Sequence, residues 1–594
     1  MATDNIHSLR LWPAWLIVLI QAGLMIFTVT AEFDNFTRFV AMMAGPLVCT
    51  LGFIVYLLGF SRLGWRESLG LLAVSIVAVL VLVFAGHESV RSGLWVYGVP
   101  LMMLLVTLGL TLVAKSSNRF ATPALLSLLG WAAFAPARLD GFDGTYIPEF
   151  AWRWSPQRGE QRLTNSVRSP KDSNEIFPDQ IVEGDWPGFR GPQRDSQVLK
   201  VAINTDWAKK EPKILWTIPV GLSWSSMSVV GDWLFTQEQL GNEEAVVCYN
   251  TKTGQERWRH VAPALFKEIV SGPGPRATPT VDGQRLYTVG GTGLFHALEA
   301  GTGKEIWMHD LIKEYGARLP EWGFSCSPLV MAEQVVVYVD GKDGRGLVAF
   351  QTQTGKETWH IPISGMNYAS AQKVVIGGVD MMLFVGDQGL LGIEPATGKI
   401  LFDIKPTGFK MAPMVQPQLI DGNSIILAVG DGAGSARVTV TPPGESITRG
   451  DPPADRPVAF ASDTKESPAS VWSVKQDWET KSLKPAFNDF VQHDGALFGF
   501  DQNIFACIDA KTGSKLWKKG RYGFGQAIAF PESKAVLVVA ESGEIILIAM
   551  DKKEHRELGT FPAVEGKTWN HPAFAHGVLF VRSGEEMAAI DILP

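Results

Sequence analysis

Cysteine is scarce in this chain. The four residues Cys49, Cys248, Cys326 and Cys507 are scattered through 594 positions with no Cys-x-x-Cys pair. That excludes a disulfide-stapled scaffold and a haem c attachment motif. Positive charge is not in excess either. Lys and Arg number 53 against 60 Asp and Glu, a net charge of −7. Without the basic face that phosphate binding needs, nucleic acid is excluded as a partner. A chain that is 46% hydrophobic and 19% charged is neither fibrous nor disordered. Charge is scarcest at the start, where residues 1–135 carry only twelve charged side chains.

Between those charges lie four apolar runs, Leu11 to Ala31, Val40 to Phe60, Leu69 to Gly86 and Leu94 to Ala114. Each has the length a helix needs to cross a hydrocarbon core. A fifth, weaker run from Phe120 to Ala137 contains two prolines and is shorter. Five spans with the N terminus inside place Arg10, Arg62, Arg66, Lys115 and Arg119 on the inner side and only Arg38 and Arg91 outside. That satisfies the positive-inside rule and exports everything after residue 138. Four spans would leave the C-terminal part in the cytoplasm. Val29-Thr30-Ala31 would suit a signal peptidase, but the length of the first run and the spans behind it favour a retained helix. No run carries a charge pair or a relay carboxylate, so residues 1–137 read as an anchor in the cytoplasmic membrane, with the lipid bilayer as a partner.

From about residue 213 a short signal recurs: a strand, a Thr-Gly turn, then an aromatic four residues after the glycine. It reads CYNTKTGQERW, ALEAGTGKEIW, AFQTQTGKETW, GIEPATGKILF and CIDAKTGSKLW. The turn glycines Gly254, Gly303, Gly355, Gly398 and Gly513 are spaced by 49, 52, 43 and 115 residues. The last interval holds two repeats plus an inserted Pro/Asp/Ser-rich loop, Thr441 to Ser470. Four short strands per period of 40–50 residues is the pattern of a β-propeller blade. Residues 213–594 divide into eight blades, the last with three strands of its own. The unpaired strand KILWTIPV at the start completes it and closes the ring. The expected architecture is an N-terminal α-helical transmembrane bundle of about five spans, a linker over 138–212, and an all-β eight-bladed propeller on the periplasmic side. Trp258, Trp307, Trp359, Phe402 and Trp517 are expected to dock neighbouring blades.

These motifs resemble the pyrroloquinoline-quinone-type propeller repeat, a family that includes quinoprotein dehydrogenases and the scaffold lipoprotein of the outer-membrane barrel-assembly machinery. The resemblance covers about residues 185–594. Within it, DWPGFRGPQRD (Asp185–Asp195), GRYGFGQ (Gly520–Gln526) and TWNHP (Thr568–Pro572) are similar to bacterial members described only as propeller-repeat proteins. An anchor of five spans before an exported ring also resembles membrane-bound glucose dehydrogenase, which passes electrons to ubiquinone. The chain departs from the enzymes in lacking their adjacent cysteines and the large insertions that roof their site.

Loops joining the outer strand of one blade to the inner strand of the next line one mouth of a propeller channel. Here they supply Trp224, Arg276, Trp322, Tyr368, Lys410, Asn488, Asp489, Arg521, Tyr522, Trp569, Asn570 and His571. Aromatics, amides and cations together suit a binding surface. The resemblance implies a leading reading and an alternative. In the first, the propeller is a non-catalytic scaffold that binds a protein, peptide or envelope component, with no cofactor and no metal. In the alternative it is an alcohol or sugar dehydrogenase holding pyrroloquinoline quinone and Ca²⁺. Arg276, Lys410 and Arg521 would then face the quinone carboxylates, and Asp489 would act as general base.

Overall fold

A computed structural model describes residues 8–31, 33, 35–116, 118–155, 176–365, 367–410, 414–444 and 471–594. Most of the expected insertion loop, from 445 to 470, lies outside the described residues, as do Met411 and the end of the AWRWSPQRG motif. The chain divides into two compact units, one of residues 1–157 with 268–272, the other of 158–267 with 273–594.

Among the described residues of the first unit, four apolar helices are long enough to cross a membrane: Trp12–Thr30, Thr37–Phe60, Trp65–Ala85 and Leu94–Leu112. The fifth run forms a shorter helix, Ala121–Ala132. It packs where glycines let backbones approach. A Cβ on Gly109 would meet the Pro123 backbone at 2.5 Å, and one on Gly98 would meet the Trp131 ring at 2.7 Å. Ser75 and Ser127 share a buried hydrogen bond of 2.8 Å. The run ends earlier than its apolar composition suggests, because Ala137–Phe142 turns into a strand paired with Pro148–Trp152.

The second unit is a ring of eight four-stranded antiparallel sheets. Seven blades use consecutive strands. The eighth joins the early strand Lys213–Pro219 to Glu586–Asp591, Val578–Arg582 and Ala573–Ala575. This is the expected closure, and it leaves no gap between first and last blade.

The repeat signature has a packing cause. Five tryptophans lie against the turn glycine of the following blade: Trp216 on Gly254, Trp258 on Gly303, Trp307 on Gly355, Trp359 on Gly398 and Trp478 on Gly513. Of the other two aromatics in the signature, Phe402 packs against Gly392 of its own sheet and the Trp517 indole donates to the Asp551 carbonyl. The five turn glycines have φ between 66° and 75°, and a Cβ would come within 3.0 Å of the ring. Two demands, a left-handed turn and no side chain, select glycine. Four of the indoles also donate to a backbone oxygen there, Trp216 to Thr251, Trp258 to Ala300, Trp307 to Thr352 and Trp359 to Pro395. In the seventh blade the aromatic position is Gly559, and Trp207, from before the ring, lies against it.

The stretch read as a linker, 138–212, is not one connection. Its first part is the strand pair of the first unit, and from residue 176 it belongs to the propeller. Trp186 exchanges backbone hydrogen bonds with Val229 in the innermost strand of the first blade. Ala529, in the innermost strand of the seventh, donates to Ser196 and accepts from Val198. Inner strand edges would otherwise face the channel unpaired. The Trp186–Val198 segment satisfies them, which is why a Gly/Pro-rich stretch with no periodicity is held in the core.

Candidate binding site at the channel mouth

The Trp186–Val198 segment carries two arginines into the ring. Arg190, 1% exposed, donates through Nη2 to the Phe490 carbonyl at 2.8 Å and to Gln418 Oε1 at 3.1 Å, and through Nε to Ser196 Oγ. Its Nε also lies 3.3 Å from Asp489 Oδ2. Arg194 donates to the carbonyls of Pro328 and Ser327, and its own carbonyl accepts from the Gln416 amide. Burial and the neighbouring Arg190 push the Arg194 guanidinium down to about 9. These contacts reach the third, fifth and sixth blades, so one loop pins strands from around the ring.

Asp489 is the hub. His571 Nε2 lies 2.7 Å from the same Oδ2, and the His571 ring packs edge-on to Phe189 at 4.7 Å. Burial alone would raise the carboxyl, but Arg190 and the His571 hydrogen bond hold it below the usual carboxylate range. Burial lowers His571, with Arg190 adding to the effect, so the imidazole is neutral at pH 7. A carboxylate held this way is an ion-pair acceptor with its charge spent on Arg190.

Above this plug the mouth presents aromatics. Trp224 and Trp569 sit with ring centroids 4.8 Å apart, and Lys567 Nζ lies over both, 5.6 Å from Trp224 and 4.4 Å from Trp569. Phe487 packs on Trp569 at 5.0 Å and stacks on Phe524. The Trp569 indole donates to Glu541 at 2.8 Å. All of Trp224, Lys567, Trp569, Phe487 and Glu541 are half-buried, which leaves ring surface in contact with solvent. A second pair, Trp322 and Tyr368, meets at 5.1 Å. Asn488 and Asn570 are buried and brace loops: Asn570 donates to the Ser225 and Ser223 carbonyls, Asn488 to that of Gln502.

The cations expected to converge are held in separate places. Arg276 donates to the Gly274 carbonyl of its own loop and lies over the Phe266 ring. Arg521 ends an outer strand and reaches Asn503 at 3.4 Å. Tyr522 bonds to His555 and to Glu557, the first residue of the neighbouring outer strand. Lys410 is exposed. The guanidinium at Asp489 belongs to Arg190. A tricarboxylate quinone therefore does not fit this donor set as the alternative requires: its expected base is clamped, and Arg276 and Arg521 face other groups. Nor do Asn488 and Asp489 form a Ca²⁺ shell, since both Asn488 polar atoms are taken, Oδ1 by the Ala486 N–H and Nδ2 by the Gln502 carbonyl.

Arg190, Arg194, Lys567 and Phe487 were not legible as site residues. Arg190 and Arg194 lie in no repeat, and the other two sit beside stronger aromatic signals. The cysteines are all free and buried, and Cys248 and Cys507 face the docking tryptophans from equivalent third-strand positions.

Comparison with known proteins agrees on the repeat. Residues 242–409 match the family described as outer membrane protein assembly factor BamB. Curated proteins give no match. Among solved structures, BamB from Moraxella catarrhalis is 11% identical with a TM-score of 0.44, covering 64% of this chain and 99% of that one. A quinohaemoprotein alcohol dehydrogenase from Pseudomonas putida is 12% identical with a TM-score of 0.41, covering 69% and 80%. A europium-containing methanol dehydrogenase is 11% identical with a TM-score of 0.40, covering 69% and 98%.

Proposed function

We propose that this protein is an anchored recognition module: apolar helices hold it in the cytoplasmic membrane, and the propeller, on the periplasmic side, binds a protein or peptide segment at its mouth. The observation that carries the reading is the filled channel. Arg190 and Arg194 spend their donors there on the chain's own backbone carbonyls and on Asp489. What remains open to a ligand is the rim, where Trp224, Trp569 and Phe487 with Lys567 and Glu541 combine apolar area, a cation and an acceptor. Aromatic residues anchored beside a charge are the composition of interface hot spots. The match of residues 242–409 to the BamB family supports a protein partner.

The test has two arms. Photo-crosslinking residues at positions 224 and 322, expressed in cells, should trap a discrete partner, and Lys567→Ala with Trp569→Ala should abolish the adduct at 224. In parallel, detergent-purified protein is incubated with pyrroloquinoline quinone and Ca²⁺ and desalted. It should emerge without quinone absorbance. Stoichiometric quinone that survives desalting would overturn the reading in favour of a dehydrogenase, as would the absence of any specific adduct at either position.

A further inference from the structure

One side-chain cluster lies outside the mouth, on the outer wall between the first and second blades. His260 is on the outer strand of the first blade, Glu256–Ala262, while His296 and Glu305 lie on the third and fourth strands of the second, Leu294–Glu299 and Glu305–Asp310. His296 Nδ1 is 3.0 Å from Glu305 Oε2, and His260 Nε2 is 3.6 Å from the same oxygen. The two imidazoles meet edge to face at 4.9 Å. The three donor atoms all lie within 4.8 Å of one another.

We propose that His260, His296 and Glu305 bind a divalent transition-metal ion of the zinc class, which clips the first blade to the second. The geometry suits it. With ligand bonds of about 2.0–2.1 Å, neighbouring ligands of a tetrahedral zinc ion stand about 3.3–3.4 Å apart, and the two nitrogen–oxygen separations here bracket that value. Two neutral imidazoles and a carboxylate are a donor set of the right hardness, and water would complete the tetrahedron. His296 is buried and fixed, whereas the Glu305 side chain is 42% exposed, so an ion has a path in from solvent.

The repeat supplies its own control. Glu256, Glu305 and Glu357 all fall two residues after a turn glycine. In the first and third blades this glutamate is satisfied by a residue three positions on: Glu256 by Arg259 at 2.5 Å and Glu357 by His360 at 2.7 Å. In the second blade that position is Met308. Glu305 turns instead to the histidines. His296, in turn, pairs across the sheet at a register filled by Val247 in the first blade, Val348 in the third and Leu391 in the fourth. A buried histidine replaces an aliphatic residue in the one blade of the three whose glutamate has no basic side chain three positions on. The sequence reading anticipated no metal, because the ligands come from two blades and their spacing follows no known motif.

The experiment uses the full-length protein in detergent, tag removed and stripped with chelator, titrated calorimetrically with Zn²⁺ and, separately, with Co²⁺ followed by visible absorption. One ion per chain is expected, with a tetrahedral Co²⁺ spectrum that Zn²⁺ displaces. Glu305→Gln and His296→Ala should each weaken Zn²⁺ binding by at least tenfold. Met308→Arg keeps every ligand but restores the local cation of the first blade, and it should weaken binding similarly while leaving the fold intact. Equal uptake by wild type and all three variants, or no uptake by the wild type at micromolar Zn²⁺, overturns the proposal.

Discussion

Arg190 Nε lies 3.3 Å from Asp489 Oδ2, an ion pair in which both side chains are at most 3% exposed. The arginine comes from ahead of the ring and the carboxylate from a loop between its fifth and sixth blades. Removing one partner leaves a buried charge uncompensated, so Arg190→Met should destabilise the propeller by about 3–5 kcal/mol. Asp489→Leu alone strands the guanidinium and should cost a similar amount. The double variant should recover part of that loss, because no charge then remains unpaired. Urea unfolding of the three variants, read by tryptophan fluorescence, checks this. Additive losses would show that the pair is not coupled.

The docking of Trp307 on Gly355 gives a second prediction. Gly355 has φ of 71°, and a Cβ would lie 2.8 Å from the indole. Gly355→Ala therefore combines a left-handed alanine with overpacking, and should cost about 2–4 kcal/mol. Gly283 also has positive φ, at 53°, but nothing lies within 4 Å of its Cβ position. Gly283→Ala should cost only about 1 kcal/mol. Thermal unfolding of the two variants separates the conformational cost from the packing cost, and equal shifts would refute the packing argument.

These glycines also show why the blades were legible and the plug was not. A turn glycine followed four residues later by an aromatic recurs because each blade solves the same docking problem, so the pattern repeats along the chain. Trp478 solves it too, yet in the sequence an inserted segment stands where the Thr-Gly turn before it would be, and the signal is lost. Trp207 and Arg190 act once each, in segments without strand periodicity. Their roles exist only when distant strands have already assembled around them. The mouth residues fall between. Trp224 and Trp569 were identifiable because blade topology sends their loops to one end, whereas the destinations of Arg276 and Arg521 depend on rotamers and neighbours.

Glu244 supplies a pH dependence. It is buried beside Gly290 and Gly291, where a Cβ on either would meet its carboxylate. Burial raises its carboxyl to about 7, against the smaller opposing effects of backbone donors at Gly291 and Thr292 and of Arg276. The folded state thus holds a proton that the unfolded chain releases near 4.5. Stability from this group is present in full below that value and declines as pH rises through about 7, by on the order of 3 kcal/mol at most. Glu244→Gln should abolish this decline. Urea midpoints measured from pH 5 to 8.5 should fall more steeply for the wild type than for the variant, and parallel profiles would contradict the assignment.

The side of the membrane on which the propeller lies turns on the helix Ala121–Ala132. Twelve residues at 1.5 Å each reach about 18 Å, short of a hydrocarbon core of about 30 Å. Yet single-turn backbone hydrogen bonds continue the path: Ala133 to Leu129, Phe134 to Trp131, Ala135 to Ala132 and Ala137 to Phe134. With these tighter turns the segment extends to about 25 Å, which a slightly thinned bilayer accommodates at modest cost. The charges at its start, Lys115 and Arg119, oppose export of that end. The fifth segment should therefore cross, and an alkaline phosphatase fused after Pro594 should be active. The same enzyme fused after Ser116 should be inactive. Reversing the charge of the loop with Lys115→Glu and Arg119→Glu should weaken the first signal and raise the second. Activity at Ser116 together with silence at Pro594 in the wild type would place the propeller in the cytoplasm and remove the periplasmic partner from consideration.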